Sequence, residues 1–256
     1  MRFALELFGA AFFASIFGSM VGLGGGFILV PMLRLALGFS PADAAGTSLV
    51  LIVANSASGA FTYLLHRRVH LRIGLLIALG GLPSSILGAI LSVHIPARIF
   101  DIILAVLLIA VAVDLAWNAE RRMAGRAEEA RVHAIKGMSY RGALALGFIV
   151  GIFLSLFGLG GGIVLVPAFL YFSELPAHAI SATSHFAILL TSPPGLIAHI
   201  LQRDVVVKDV APLVLGGLLG GPIGARLSLR LRSPQLLIVV AIALVTAAVT
   251  LVWRQL

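Results

Sequence analysis

Ten residues near the start of the chain, Gly22 to Pro31 (GLGGGFILVP), return at Gly158 to Pro167 as GLGGGIVLVP, differing where Phe27 and Ile28 become Ile163 and Val164. The same spacing continues without a gap. It pairs Thr47 and Ser48 with Thr183 and Ser184, Ser56 with Ser192, Arg67 with Arg203, and Gly80 and Gly81 with Gly216 and Gly217. Gly88 and Ala89 fall on Gly224 and Ala225, and Leu91 and Ser92 on Leu227 and Ser228. Coincidence does not hold one register over so long a stretch, so the chain is two copies of one unit. The halves span 1–118 and 139–256, and a linker at 119–138 joins them.

The solvent of that doubled unit follows from composition. Of 256 residues, 60% are hydrophobic and only 11% charged, against about 45–50% and about 25% in soluble domains. Apolar runs long enough to cross a bilayer cover 43–65, 71–93, 97–117, 179–201, 208–229 and 234–253, with longer, glycine-interrupted runs at 3–37 and 141–172. That amounts to about eight or more crossings at ~20 residues each. No run alternates as a barrel strand does. The expectation is an all-α polytopic membrane protein with two pseudo-symmetric repeats of about four to five transmembrane segments each, the first element of each broken by glycine.

Arg2 and the apolar run from Leu7 to Ile16 imitate a cleaved signal peptide. The glycine-rich end of that segment recurs deep in the chain, so we read it as part of the repeat. A net charge of +8 need not mean nucleic acid, because basic residues collect in the cytoplasmic loops of membrane proteins. The linker, with Arg121, Arg122, Arg126, Arg131 and Lys136 among its residues, and the 66–72 loop (HRRVHLR) are expected in the cytoplasm of a bacterial-type inner membrane. Counting basic residues does not choose between parallel and inverted repeats. The 3–37 run is too long for one straight span of about 30 Å, which favours a path that enters and returns, and so an inverted repeat with both termini outside.

A glycine-broken helix inside a membrane leaves amides without helical partners, tolerated only where protein, water or ligand satisfies them. The helix that follows aims free N–H groups and the positive end of its dipole at the break. Two such breaks point to an anion site at Gly24, Gly25 and Gly26 with Gly160, Gly161 and Gly162. No Lys-Ser/Thr follows the glycines as in a phosphate-binding loop, and no strand frames them as in a dinucleotide fold. Close helix packing is the competing explanation. On the next helix, Thr47, Ser48, Asn55 and Ser56 are answered by Thr183, Ser184, Thr191 and Ser192, offering donors to an oxyanion; hydroxyls bonded back to their own helix are the alternative. His185, next to Ser184, is the candidate proton-coupling residue, and a structural histidine is its alternative. Asp101, Asp114 and His199 are the other ionisable groups within the spans, and Arg34 ends the short segment after the first break. Gly80, Ser84 and Gly88, with Gly216, Gly220 and Gly224, have the small-xxx-small spacing of helix packing.

The duplicated GLGGG-x4-P unit, each copy followed by a Thr-Ser pair sixteen residues after its proline, resembles the TauE/SafE family of sulfite exporters and related anion permeases over essentially the whole chain. The resemblance implies a secondary transporter, in the first instance an exporter, of sulfite, an organosulfonate or another small anion, coupled to a proton gradient. It designates Gly22 to Gly26, Pro31, Thr47 and Ser48, and Gly158 to Gly162, Pro167, Thr183 and Ser184. An anion channel or a non-transporting assembly factor is the alternative. No catalytic constellation is recognisable, so an enzyme is not expected. Neither a cofactor nor a metal site is expected; the expected partners are the anion, protons and the lipid bilayer. A homo-oligomer stays open.

Overall fold

The computed structural model describes residues 2–117, 139–173, 175, 177–230 and 234–253, which leaves the linker at 119–138 outside the described residues. Among the described residues the regular structure is helical, with no strand. The first half contains α1 (Arg2–Val21), α2 (Gly26–Ala36), α3 (Pro41–Leu65), α4 (Leu71–Ser92) and α5 (Ala97–Trp117). The second contains α6 (Tyr140–Phe157), α7 (Gly162–Phe172), α8 (Ala177–Gln202), α9 (Val210–Arg230) and α10 (Pro234–Trp253), with a single 3-10 turn at Val207–Asp209. Six segments, within α1, α3, α4, α6, α8 and the turn with α9, are long and apolar enough to cross a membrane. The chain is a multi-pass membrane protein. At 1.5 Å per residue, α2 and α7 are about 16 Å long and cannot cross alone.

Local chemistry sets the helix ends. Ser40 and Ser139 cap α3 and α6, their hydroxyls accepting from the N–H of Asp43 and Gly142. At their other ends α3 and α8 close alike: Arg67 and Arg203 take up left-handed backbone, while Arg68 N–H donates to Tyr63 O and Asp204 N–H to His199 O. This is the Schellman closure, built at equivalent positions. Between α1 and α2 the chain passes through positive φ at Gly22, Gly24 and Gly25, a region costly to residues with a Cβ. Helix α1 therefore ends there and the chain turns back, so that Gly25 lies against Ala14 and Ser15.

Glycine stripes make the helix seams. A Cβ on Gly80 or Gly88 of α4 would overlap Leu144 O or Ile152 O of α6, and one on Gly224 of α9 would overlap Ile16 O of α1. Backbones meet there at the distance only glycine permits, the packing expected of small-xxx-small helices. The fourth helix of each half thus packs on the first helix of the other. Helices α3 and α8 lie at the centre and run antiparallel: Thr47, near the start of α3, accepts from Val206 N–H beyond the end of α8 (3.1 Å), and Thr183 of α8 accepts from His70 N–H beyond the end of α3 (3.0 Å). Helices α5 and α10 pack on each other outside this core.

Candidate functional site

The two glycine segments meet. A Cβ built on Gly162 would overlap Gly22 O, one on Gly160 would overlap Leu23 O, and one on Gly26 would overlap Gly158 O. Gly24 has slightly more room, with Gly160 Cα 3.5 Å from where its Cβ would stand. Backbone lies against backbone, and nothing bulkier than glycine fits at these three positions. Turning in left-handed conformation costs these helices their regular bonds. Among the described residues no acceptor meets the N–H groups of Gly25, Gly26 and Phe27 at the start of α2, or of Gly160, Gly161 and Gly162 at the start of α7. Both helix N-termini therefore bring unmet donors and positive dipole ends into one buried region.

The hydroxyls named from the sequence divide into two groups. One group is already engaged. Ser48 Oγ donates to Gly158 O (2.6 Å) and Ser184 Oγ to Gly22 O (2.8 Å), each half tying down the glycine turn of the other. Thr47 and Thr183 hold the loops beyond α8 and α3, as described above. Ser56 Oγ bonds back to its own helix at Val53 O (3.2 Å). The other group is unmet. Ile52 and Ile188 touch the break at Gly24, and beyond them lie Asn55 and Thr191. Asn55 Nδ2, Thr191 Oγ1 and Ser192 Oγ are buried with no hydrogen-bond partner among the described residues, as are Ser15 Oγ and Ser155 Oγ on α1 and α6. An unmet donor in a low-dielectric interior costs about 1–3 kcal/mol, so each of these atoms calls for an explanation.

His185 is fully buried. Its Nε2 faces Ser19 Oγ at 3.1 Å and its Nδ1 faces Ser181 O at 3.3 Å. Ser19 Oγ in turn lies 2.7 Å from Asn55 Oδ1, and Tyr63, ring to ring with His185, donates its hydroxyl to Ser19 O at 2.7 Å. The other half answers with His199, whose Nε2 donates to Ser155 O at 2.9 Å while Nδ1 faces Asp204 Oδ2 at 3.0 Å. Burial raises the Asp204 carboxyl above the usual range, while the His199 hydrogen bond pulls it down.

Sequence reasoning left out Ser15, Ser19, Tyr63 and Ser155. A signal for three of them was present, since the repeat spacing places Ser19 on Ser155 and Tyr63 on His199. Equivalent polar positions in apolar helices were legible as a pair, although the partners they reach were not. Arg34 does not face the polar cluster. It pairs with Asp101 through Nε (2.8 Å) and Nη2 (2.5 Å), reaches Phe39 O, and sits over the Phe100 ring. Asp114 lines a groove of about 380 Å³ with Leu107, Val111, Ile163, Pro167 and Tyr171, between α5 and α7.

No solved structure matches this chain. The "Probable membrane transporter protein YunE" of Bacillus subtilis is 28% identical over 257 residues, covering 94% of each chain. The "Probable membrane transporter protein ORF9" of a Sinorhizobium species is 30% identical over 244 residues, 93% of this chain and 89% of that one. The "Probable membrane transporter protein YfcA" of Escherichia coli is 28% identical over 242 residues, 92% and 86%. The model of the sulfite exporter TauE/SafE family matches residues 7–254. A multi-helix membrane chain so matched from end to end belongs to the TauE/SafE family of membrane transporters.

Proposed function

We propose that this protein is a secondary transporter of a small anion such as sulfite or an organosulfonate, coupled to the proton gradient across a bacterial-type inner membrane, and that the anion binds where the N-termini of α2 and α7 converge. The carrying observation is the concentration of unmet buried donors there: the two sets of N–H groups at the glycine breaks, with Ser15 against Gly25, and Asn55 and Thr191 each one turn along from Ile52 and Ile188, which touch Gly24. Free N–H groups and helix dipole ends of one sign favour an anion.

In this reading the structure is an occluded form. The hydroxyls of Ser48 and Ser184 hold the breaks shut, and the breaks must part for an oxyanion to take the place of the carbonyls they now bond. Thr47 and Thr183 anchor the moving loops. The architecture that would permit this is a pair of inverted repeats with both termini outside and the 66–72 loop and the linker in the cytoplasm. Antiparallel α3 and α8 support it, since equivalent helices oppose one another about an axis in the membrane plane and run parallel about an axis normal to it.

The test is flux into liposomes carrying the purified protein, with sulfite, sulfoacetate, thiosulfate, sulfate and a carboxylate compared with and without an imposed pH gradient. Saturable, gradient-dependent flux of a sulfur oxyanion is expected. Gly161→Val should abolish it, because Gly161 has an ordinary φ of −61° and valine there fills the start of α7 without forcing the backbone. Non-saturating flux identifies a channel, and no flux from folded protein removes the transport reading.

A further inference from the structure

Resting on the transporter reading above, we infer that Ser19 and Asn55 form a relay through which protonation of His185 reverses the face presented to the anion, making transport a one-to-one symport of proton and anion. The chain Ser181 O, His185, Ser19 Oγ, Asn55 has few protons to share. Ser181 O can only accept, so the Nδ1 that faces it must carry a hydrogen. Ser19 has one hydrogen to give. If it goes to Asn55 Oδ1, as the 2.7 Å contact has it, the Nε2 at 3.1 Å must also donate. The ring then carries two N–H groups and is an imidazolium. In that state Asn55 leaves its NH2 as the free end, and Nδ2 is the buried amide atom without a partner.

A neutral ring requires the opposite polarity. Nε2 then accepts from Ser19, Ser19 accepts from the Asn55 NH2, and the amide turns by half a revolution about its last torsion. Its oxygen becomes the free end. Both arrangements satisfy every group between Ser181 and Asn55, and they differ by one proton, taken from the aqueous phase and held on Nε2. The protonated chain offers an anion a donor and a nearby positive charge; the neutral chain offers it an acceptor and no charge. A charge and its counter-charge therefore load together.

The groups in contact with the ring carry no charge at neutral pH. Helix α3 brings Tyr63, the titratable group in contact, whose hydroxyl is committed to Ser19 O, and the bare Gly59; α1 brings neutral Ser19. Repetition does not double the device. The position equivalent to His185 is Leu49, and the one equivalent to Asn55 is Thr191, so one proton moves per cycle. Ser15, itself unpartnered, lies against Gly220 of α9, and the engaged Asn55 Oδ1 lies against the adjacent Gly221.

Two measurements on the full chain test the inference separately from the function it rests on. In protein labelled with 15N in histidine and asparagine, the Asn55 amide resonance should move with the same pH midpoint as the His185 ring nitrogens. In Ser19→Ala it should stop following them, and in Ser19→Thr, which keeps the hydroxyl, it should follow again. An Asn55 signal that ignores the His185 titration in the unmodified protein overturns the relay. In liposomes with isethionate, a sulfonate that stays a monoanion throughout, acid outside should drive uptake. Exchange at equal pH should change about tenfold across the two pH units that span the histidine titration, and lie flat in His185→Asn and Ser19→Ala. Uptake driven by acid inside, or a full pH response in Ser19→Ala, overturns the symport. Absence of flux for every anion, with the resonances coupled, sinks the transporter reading and leaves the relay standing.

Discussion

At the scale of single residues, the glycines of the breaks are not interchangeable. Gly162 has no room for a Cβ, which would overlap Gly22 O, a backbone atom that cannot swing aside. Gly161, its neighbour, would place a Cβ 2.5 Å from Val150 Cγ1, a side chain that can shift. Overpacking costs about 1–3 kcal/mol where the neighbours yield and more where they do not. Gly162→Ala is therefore expected to unfold at markedly lower temperature in detergent than Gly161→Ala, which should lose about 1–3 kcal/mol. Equal melting of the two would mean that the breaks do not pack as tightly as the backbone contacts indicate. The same reasoning separates Ser48 and Ser184 from Asn55 and Thr191. All four were visible as polar residues in apolar helices, but a hydroxyl bonded across the interface and an amide left without a partner look identical in a sequence.

Between elements, the bond from Arg34 to Asp101 joins short α2 to α5. Asp101 is almost wholly buried, and the pair has bidentate geometry. Removing one partner of such a pair leaves an uncompensated charge and costs about 3–5 kcal/mol, whereas replacing both is far less harmful. Arg34→Met alone should thus destabilise by that amount, and Arg34→Met with Asp101→Asn should recover most of it, as judged by thermal unfolding of the single and double variants. Additive losses would show that the two act separately. The second half lacks the tether, since Leu170 and Leu237 occupy the equivalent positions. The sequence marked Arg34 as a cation near a break and Asp101 as an ionisable residue in a span. Their meeting depends on α5 reaching α2 across two intervening helices, which no local pattern encodes.

For the molecule as a whole, opposed repeats make a claim about sides. His66, just past α3, and Val207, just past α8, are both exposed, and the chain contains no cysteine to confuse labelling. A cysteine at His66 should react with a membrane-impermeant thiol reagent only from the cytoplasmic side, and one at Val207 only from outside, in right-side-out and inverted vesicles. Labelling of both from the same side would rule out the inverted arrangement. What the sequence determined alone is whatever is written in short-range chemistry: membrane-spanning helices from apolar runs, helix ends at the glycine triplets, and helix seams from small residues four apart, while the register held over many residues supplies the expectation of two units. The apolar runs at 43–65, 71–93 and 97–117 end within about two residues of α3, α4 and α5 because caps and turns are local. Tertiary structure alone decided the contacts between the units. It set the glycine turns face to face, committed the Thr-Ser hydroxyls to the opposite half, and drew Ser19, Asn55 and His185 into one chain from three helices. A hydrogen bond forms between atoms about 3 Å apart, and that distance is fixed only once the two halves have packed.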